Sequence, residues 1–243
     1  MNRGIYVAAT AGILRMMDVD NIANNVANIS TNGYKRTSFS SRLYPVAEGR
    51  PQTYTALHPE ARAMVHFDRT SIDHGQGTTI ATGNPLEISI QGEGFFVVEA
   101  KGQQKAYTRN GAFSMDKEGF LINSSGYKVI GTDDRPLQIN MENKGTPTIG
   151  ADGTISVEGN TLGTIKLVKL TDARNMSESL YSGKEDGQAT GSITQGSVEK
   201  SNVQPLREMV GLITAQREFQ SLQQVIKTFD QLSQWAANEI AKV

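Results

Sequence analysis

Residues 205–243 read PLREMVGLITAQREFQSLQQVIKTFDQLSQWAANEIAKV, and this stretch decides the outline of the fold. After Pro205 it contains no proline, and Gly211 is its one glycine. Pro205 suits a first helical turn, where its missing N–H costs nothing. Leu206, Met209, Val210 and Ile213 form one apolar patch. Leu222, Ile226, Phe229, Ala236, Ile240 and Val243 continue at helical spacing, with Ser233 a polar break. At about 1.5 Å per residue such a helix would run about 55–60 Å. That is too long for the core of a small compact domain and far beyond the usual mean of about 11–12 residues.

The other end mirrors it. Val19, Ile22, Val26 and Ile29 are spaced as in a coiled-coil seam, and Ile5, Ala8 and Gly12 extend the register backward, with Arg15 its break. The spacing predicts a helix over 4–29, with Gly33 as its natural stop. A long helix at each end suggests that the termini pair with each other.

Between them the chain reads as β. Leu86, Ile88 and Ile90 alternate strictly, and Phe95-Phe96-Val97-Val98 is a run suited to a strand buried on both faces. Turn signals recur at Asn110-Gly111, 116–119, 123–126, 133–136, 151–153 and 158–160. Strand-like pieces lie between them, at 120–122, 127–130, 154–157 and 164–170. This spacing indicates a meander or small barrel. Residues 39–69, holding Pro45, Pro51 and Pro59, read as an extended connector. Residues 171–200 are polar, with short strands expected near Thr190 and Val198. The fold class is therefore α+β: long N- and C-terminal helices pairing as a coiled coil around a central all-β domain. The expected division is 1–38 and 201–243 for the split helical domain, 39–69 for the connector and 70–200 for the β domain.

Composition removes several chemistries. The 243 residues include no cysteine, which excludes disulfides, thiolate metal sites and a cysteine nucleophile. The 24 basic against 25 acidic residues leave no general footprint for nucleic acid. No apolar run reaches the 18 or so residues of a membrane span. Arg3 followed by 4–14 only faintly resembles a secretory signal, because the helical pattern runs through the place where cleavage would fall.

No constellation of catalytic groups stands out. His58, His66 and His74 are eight apart, too far for a helix-borne metal pair, and prolines and glycines interrupt any single strand. They read as loop histidines, and no metal or cofactor is expected. Ser197-Val198-Glu199-Lys200 fits Ser-x-x-Lys but lacks the partner motifs of penicillin-recognising enzymes. Gly92-Glu93-Gly94 lacks the third glycine of a phosphate loop and precedes a strand, so it reads as a turn. Glu87, Glu93 and Glu99 are isolated acids with no evident acid–base couple.

The informative polar feature is an asparagine row. Asn21, Asn25, Asn28 and Asn32 would share one stripe of a helix, with Asn24 beside it. Asparagine is a mediocre helix former because its amide competes for the backbone. The row reads either as a frayed polar face near the helix end or as a ladder of amides fixing the register of neighbouring helices; the fused pattern favours the ladder.

At this point a resemblance appears. Asn21-Ile22-Ala23-Asn24-Asn25-Val26-Ala27-Asn28-Ile29-Ser30-Thr31-Asn32-Gly33-Tyr34-Lys35-Arg36 resembles the N-terminal signature of bacterial flagellar axial proteins. Thr82-Gly83-Asn84-Pro85-Leu86-Glu87, continuing through Gly92-Glu93-Gly94-Phe95-Phe96, resembles a segment of rod and hook proteins. Tyr107-Thr108-Arg109-Asn110-Gly111-Ala112-Phe113 is similar to another. Ser201-Asn202-Val203, Ala215-Gln216-Arg217 and 225–230 resemble the family's closing helix. The similarity spans almost the whole chain and is weakest at 39–69 and 135–200. Residues 39–46 and Pro85 resemble the proximal-rod branch more than the distal-rod branch, with a Gram-positive paralogue a further alternative.

The resemblance implies a structural axial component of the flagellar basal-body rod and no enzyme activity. It implies export through the flagellar type III apparatus without a cleaved signal, assembly beneath the rod cap, and location in the part of the flagellum that crosses the periplasm. The implied partners are further copies of the chain and other rod proteins, proximal and distal, with neither nucleic acid nor a small-molecule substrate. It also implies that the family-motif residues Asn21, Asn24, Asn25, Asn28, Asn32, Gly33, Tyr34, Gly83, Asn84, Gly92, Gly94, Asn202, Val203, Gln216 and Arg217 serve the subunit interface. The readings from other classes are a β-barrel hydrolase, which would need convergent titratable groups, and a secreted coiled-coil binding module, which would need neither the asparagine row nor the strand signatures.

Overall fold

The computed structural model of the chain describes residues 3–46, 62–100, 104–139, 145–177 and 179–240. His58, Pro51, Pro59 and Val243 lie outside the described residues. The chain divides into two compact units, one drawn from Met1–Val26, Thr37–Ser71 and Pro205–Val243, the other from Ala27–Arg36 and Ile72–Gln204. Among the described residues no helix is long and apolar enough to cross a membrane.

In the helical unit, helix α1 spans Arg3–Ala27, and strands β1 (Thr37–Val46) and β2 (Arg62–Ile72) pair with each other. The segment expected as an extended connector is thus strand at both of its described ends. Ser38 and Ser71 join the two strands through their hydroxyls, 2.7 Å apart. The closing helix, labelled α2 below, spans Pro205–Ile240, as its proline start and helical spacing predict. Its 36 residues make it about 54 Å long.

The two helices touch at points that advance along α1 as they recede along α2, an antiparallel arrangement. Arg15, expected only as a break in the seam, is ion-paired with Glu218 at 2.8 Å. Asn25 donates to the Glu208 carboxylate at 3.2 Å. A methyl group on Gly12 would reach Phe219, and one on Gly211 would meet Ile22. Ala8, Leu14, Ile22 and Ala215 are buried.

One expectation about α1 needs correction. The helix ends at Ala27 and does not reach residue 29. The Asn28 carbonyl accepts the Thr31 N–H at 3.2 Å, and the Asn28 side chain accepts the Thr31 hydroxyl at 3.1 Å. Asparagine here offers the backbone a turn in place of another helical residue. Asn28 and Asn32 therefore stand in the turn region beyond the helix, and the four-residue helical stripe does not form. Gly33 does not act as the helix stop.

The β unit holds β3 (Thr79–Ala81), β4 (Ile88–Gln91), β5 (Phe95–Ala100), β6 (Gln104–Thr108), β7 (Ser114–Met115), β8 (Leu121–Ile122) and β9 (Lys128–Val129). These are followed by β10 (Thr148–Ile149), β11 (Thr154–Val157), β12 (Asn160–Thr164), β13 (Leu167–Ser177), β14 (Leu180–Gln188), β15 (Ser192–Gln195) and β16 (Ser197–Glu199). The largest sheet runs β13-β14-β6-β5-β9-β8-β7, and β5 also pairs with β13. That extra pairing closes β13, β14, β6 and β5 into a small barrel. One edge of β5 serves two partners, with Phe95 and Phe96 opposite Val168 and Leu167, and Val98 and Glu99 opposite Val129 and Lys128. Smaller sheets pair β10-β11-β12, β15-β4 and β16-β3.

The Phe95–Val98 run is buried on both faces, as its composition predicts. Phe96 and Val98 join a core with Ile88, Ile90, Phe113, Leu121, Ile155 and Ile165. Phe95 and Val97 join a second cluster with Tyr107, Val168, Leu170 and Tyr181. Each strand side chain points opposite to the next, so one apolar strand serves both cores.

Two expectations here also change. The stretch 164–170 is not one strand but breaks at Ile165–Lys166, where Ile165 bridges to Gly131. Residues 171–177 and 180–188, ahead of the short strands expected near Thr190 and Val198, belong to the long hairpin β13–β14. Its far part is solvent-exposed, so no apolar alternation marks it, and register shifts interrupt its period further.

Candidate functional site

Three segments far apart in sequence meet inside the β unit. The turn after α1 brings Asn32 to Arg36, the end of β6 brings Arg109, and β16 brings Glu199. At their junction Lys35 Nζ lies 2.6 Å from Glu199 Oε1 and donates to the Gly75 carbonyl at 2.7 Å. The Gly77 N–H donates to the same Glu199 oxygen at 2.8 Å. Arg109 Nη1 stands 3.5 Å from Glu199 Oε2, and its two terminal nitrogens donate to the carbonyls of Ile90 and Gly92. Lys35 is 1% exposed, Glu199 0% and Arg109 3%.

Backbone pairing reinforces the junction. The Gly33 N–H donates to the Glu199 carbonyl at 2.7 Å, and the Lys35 N–H donates to the Tyr181 hydroxyl at 2.8 Å. Lys200 Nζ donates to Asn32 Oδ1, and Asn202 Oδ1 accepts the Arg36 N–H at 2.7 Å. The Asn202 amide donates to the carbonyls of Asp73 and Gly75.

Gly33 explains its own identity here. Its φ is +69°, and a Cβ would fall 2.3 Å from the Arg109 backbone carbon. Only glycine permits both the left-handed backbone and that approach.

Burial shapes the electrostatics. It pushes the Lys35 ammonium below its ordinary range, against the pull of Glu199. It pushes the Tyr181 phenol up. His74 packs edge-on against Phe95, and its imidazole is held below its ordinary 6.5 by partial burial first, then by the Lys35 and Arg109 cations. Removing one partner of a buried ion pair costs about 3–5 kcal/mol. Almost closed off from solvent, the three charges tie the turn after α1, the end of β6 and β16 together.

The residues singled out from sequence separate into distinct places. Asn32, Gly33, Tyr34, Gly92 and Asn202 belong to this junction or flank it, and Tyr34 is buried. Val203 is buried, with its N–H on the Ser201 hydroxyl. Gly83 donates its N–H to the Gly196 carbonyl, and Asn84 Oδ1 accepts the Leu86 N–H in a turn. Gly94 is buried, and a Cβ there would meet Ala189 at 2.6 Å.

In the helical unit, Asn25 is fully buried and exchanges hydrogen bonds with Thr37, its amide donating to the carbonyl at 2.8 Å and its oxygen accepting the N–H at 3.0 Å. Asn21 donates to the same carbonyl at 3.1 Å and accepts the Thr37 hydroxyl at 2.7 Å. Two rungs of the asparagine row thus fasten α1 to β1 of its own chain. Asn24, Gln216 and Arg217 are exposed. Ser197 shares a hydrogen bond with Ser89 at 2.8 Å, a structural use of the Ser-x-x-Lys serine.

Sequence reasoning missed Glu208 outright and quoted Lys35, Arg109 and Glu199 only inside longer motifs. A signal did exist for Glu199, because an acid closing the short strand Ser197-Val198-Glu199 calls for a buried partner. Nothing local pointed to Lys35 as that partner, 164 residues away.

Comparison with known proteins bears on the same segments. The profile described as flagellar hook protein FlgE/F/G D1 domain matches residues 89–157, and that described as flagellar basal body rod FlgEFG protein C-terminal matches 194–239. The chain is 32% identical to the flagellar basal-body rod protein FlgG of Agrobacterium fabrum, over 95% of this chain and 97% of that protein. It is 30% identical to FlgF of Mesorhizobium japonicum, over 91% and 90%. It is also 30% identical to FlgF of Caulobacter vibrioides over the full length of both chains.

Proposed function

Since the chain belongs to the flagellar basal-body rod protein family, we propose that it is a structural subunit of the rod, polymerising with copies of itself and with other rod proteins into the shaft that serves motility. The observation that carries this reading is the surface of the helical unit. Tyr6, Ile13 and Met16 on α1 and Leu206, Met209, Val210, Ile213, Leu232 and Trp235 on α2 are all more than half exposed. So many large apolar side chains on two helices mark a surface that other subunits cover. Equivalent head-to-tail contacts that do not close a ring generate a helical filament.

In this reading the antiparallel helices form a coiled coil, a pairing supported by the Arg15–Glu218 and Asn25–Glu208 contacts. The domain division is a split helical domain of 1–38 and 201–243, the connector 39–69 and a β domain of 70–200. Any interface role for the family-motif residues falls first on exposed Asn24, Gln216 and Arg217, since the Asn25 amide is spent inside the chain. Export by the flagellar type III apparatus and growth beneath a rod cap complete the proposal. Residues 39–46 and Pro85 favour the proximal-rod branch. The slightly higher identity to a protein named FlgG favours the distal one.

Deletion of the gene tests the reading. Loss of swimming with basal bodies truncated at the rod is expected, and normal swimming would overturn it.

A further inference from the structure

Helix α1 carries a second stripe besides the one that faces α2. Gly12 lies against Phe219 of α2, and Ile22 against Gly211. Tyr6, Thr10, Ile13, Met17 and Asp20 recur every four or three residues on the far side of α1. Tyr6, Ile13, Met17 and Asp20 are exposed. On α2, Arg217, Ser221, Val225, Thr228 and Leu232 also recur every three or four residues, and Val225 and Leu232 are exposed. An open groove of about 440 Å³ follows this stripe, lined by Ser221, Gln224, Val225, Thr228, Phe229 and Leu232. The short side chains of Ser221 and Thr228 flank Val225 and leave holes for larger knobs. Among the described residues, Asp20 and Arg217 form no ion pair within the chain.

The two stripes match when they run antiparallel. Tyr6 then meets Leu232, Thr10 meets Thr228, Ile13 meets Val225, Met17 meets Ser221 and Asp20 meets Arg217. Tyr6 and Ile13 bring apolar surface to apolar surface, Met17 sets a long side chain over a short one, and Asp20 faces an opposite charge. Thr10 and Thr228 spend their hydroxyls on the Tyr6 and Gln224 carbonyls of their own helices, which leaves their methyl groups for the contact. The outer stripe of α1 cannot reach α2 of its own chain, because the opposite side of α1 already packs there. We infer that it seats in the α2 groove of a second copy of the chain. Both halves of the match sit on one sequence, down to the Asp20 and Arg217 charges, which favours a copy over a different partner. Within one chain Arg15 stands level with Glu218 and Ile22 with Gly211. Setting Ile13 level with Val225 and Asp20 with Arg217 displaces the copy by about four to five residues, roughly 6–7 Å along the helices. A contact between two different faces, displaced in this way, does not close into a dimer but continues as a helical row. The inference rests on the rod reading and adds which faces meet and in what register.

The chain has no cysteine, so introduced cysteines report the contact alone. Cells whose only copy of the gene carries I13C with V225C are grown, and their basal bodies are purified, oxidised and run on a non-reducing gel. A ladder of covalent dimers, trimers and longer rows is expected, with monomer only from I13C or V225C alone. Basal bodies that contain the double variant yet release only monomer overturn the contact, as do dimers from either single variant. A charge exchange tests the register, and it decides the matter if the double-cysteine chain does not assemble. D20R and R217D should each lower the amount of the chain per basal body about tenfold or more, and combining them should recover about half of it or better. Single variants that assemble normally, or a combination no better than either, overturn the Asp20–Arg217 register. Basal bodies that lack the wild-type chain, or that assemble normally after its gene is deleted, overturn the rod reading itself.

Discussion

Phe96 and Trp235 are both large aromatics in regular elements, and they meet opposite environments. Phe96 on β5 is 0% exposed, packed at 5.2 Å against the Phe113 ring, while Trp235 on α2 is 67% exposed. The contrast extends to their units. In the β unit, a single strand feeds two cores, and the charges that enter are paired. In the helical unit, apolar side chains stand exposed along both helices. One unit has found its hydrophobic partners within the chain. The other carries part of its core on the outside, where assembly can complete it. The two units should therefore respond differently to substitution and to proteolysis.

The largest effect should come from F96A. Emptying a fully buried aromatic site costs about 3–5 kcal/mol, measured by denaturant unfolding of the β unit. A loss under about 1 kcal/mol would break the claim that the β core is complete. Next, E199Q should cost about 3–5 kcal/mol, since it leaves Lys35 and Arg109 buried beside a neutral group. A cycle with K35M should show strong coupling, and additive effects would dissolve the cluster as a unit.

G33A should cost about 2–3 kcal/mol, from a left-handed backbone and a backbone collision together. Denaturant unfolding would read it. W235A should change monomer stability by no more than about 0.5 kcal/mol yet impair incorporation into rods. A destabilised monomer would place Trp235 in an intrachain core and erase the contrast. Limited proteolysis sharpens the same point, with the terminal helices expected to be cut before a fragment near 70–200.

The smallest effect concerns pH. His74 titrates below 6.5 when folded, so as pH falls below 6.5 the unfolded state takes up more protons and stability declines. H74Q should flatten that decline in thermal midpoints measured at pH 5 and pH 7. A wild-type curve that H74Q leaves unchanged would remove His74 from the electrostatics of the cluster.

Legibility followed the range of the interactions. The helix of 205–240 was readable because 3.6-residue periodicity is local, and its proline start is a one-residue signal. The double burial of 95–98 was readable because apolar residues on both strand faces need two cores. The end of α1 was misread because the turn depends on Asn28 side-chain and backbone bonds that compete with an equally good helical pattern. The β13–β14 hairpin was hidden because its exposed length carries no alternation.

The order of elements, two long helices around a β-rich middle, and the family were legible in the chain alone, since motifs and periodicities are written residue by residue. Tertiary structure alone decided that β5 and β13 close a small barrel. It alone decided that Asn21 and Asn25 spend their amides on Thr37, and that Lys35, Arg109 and Glu199 share one buried site. Periodicity specifies which face of an element is buried but not which distant segment will cover it. A lysine acquires its carboxylate only when the backbone has already brought residues 35 and 199 together.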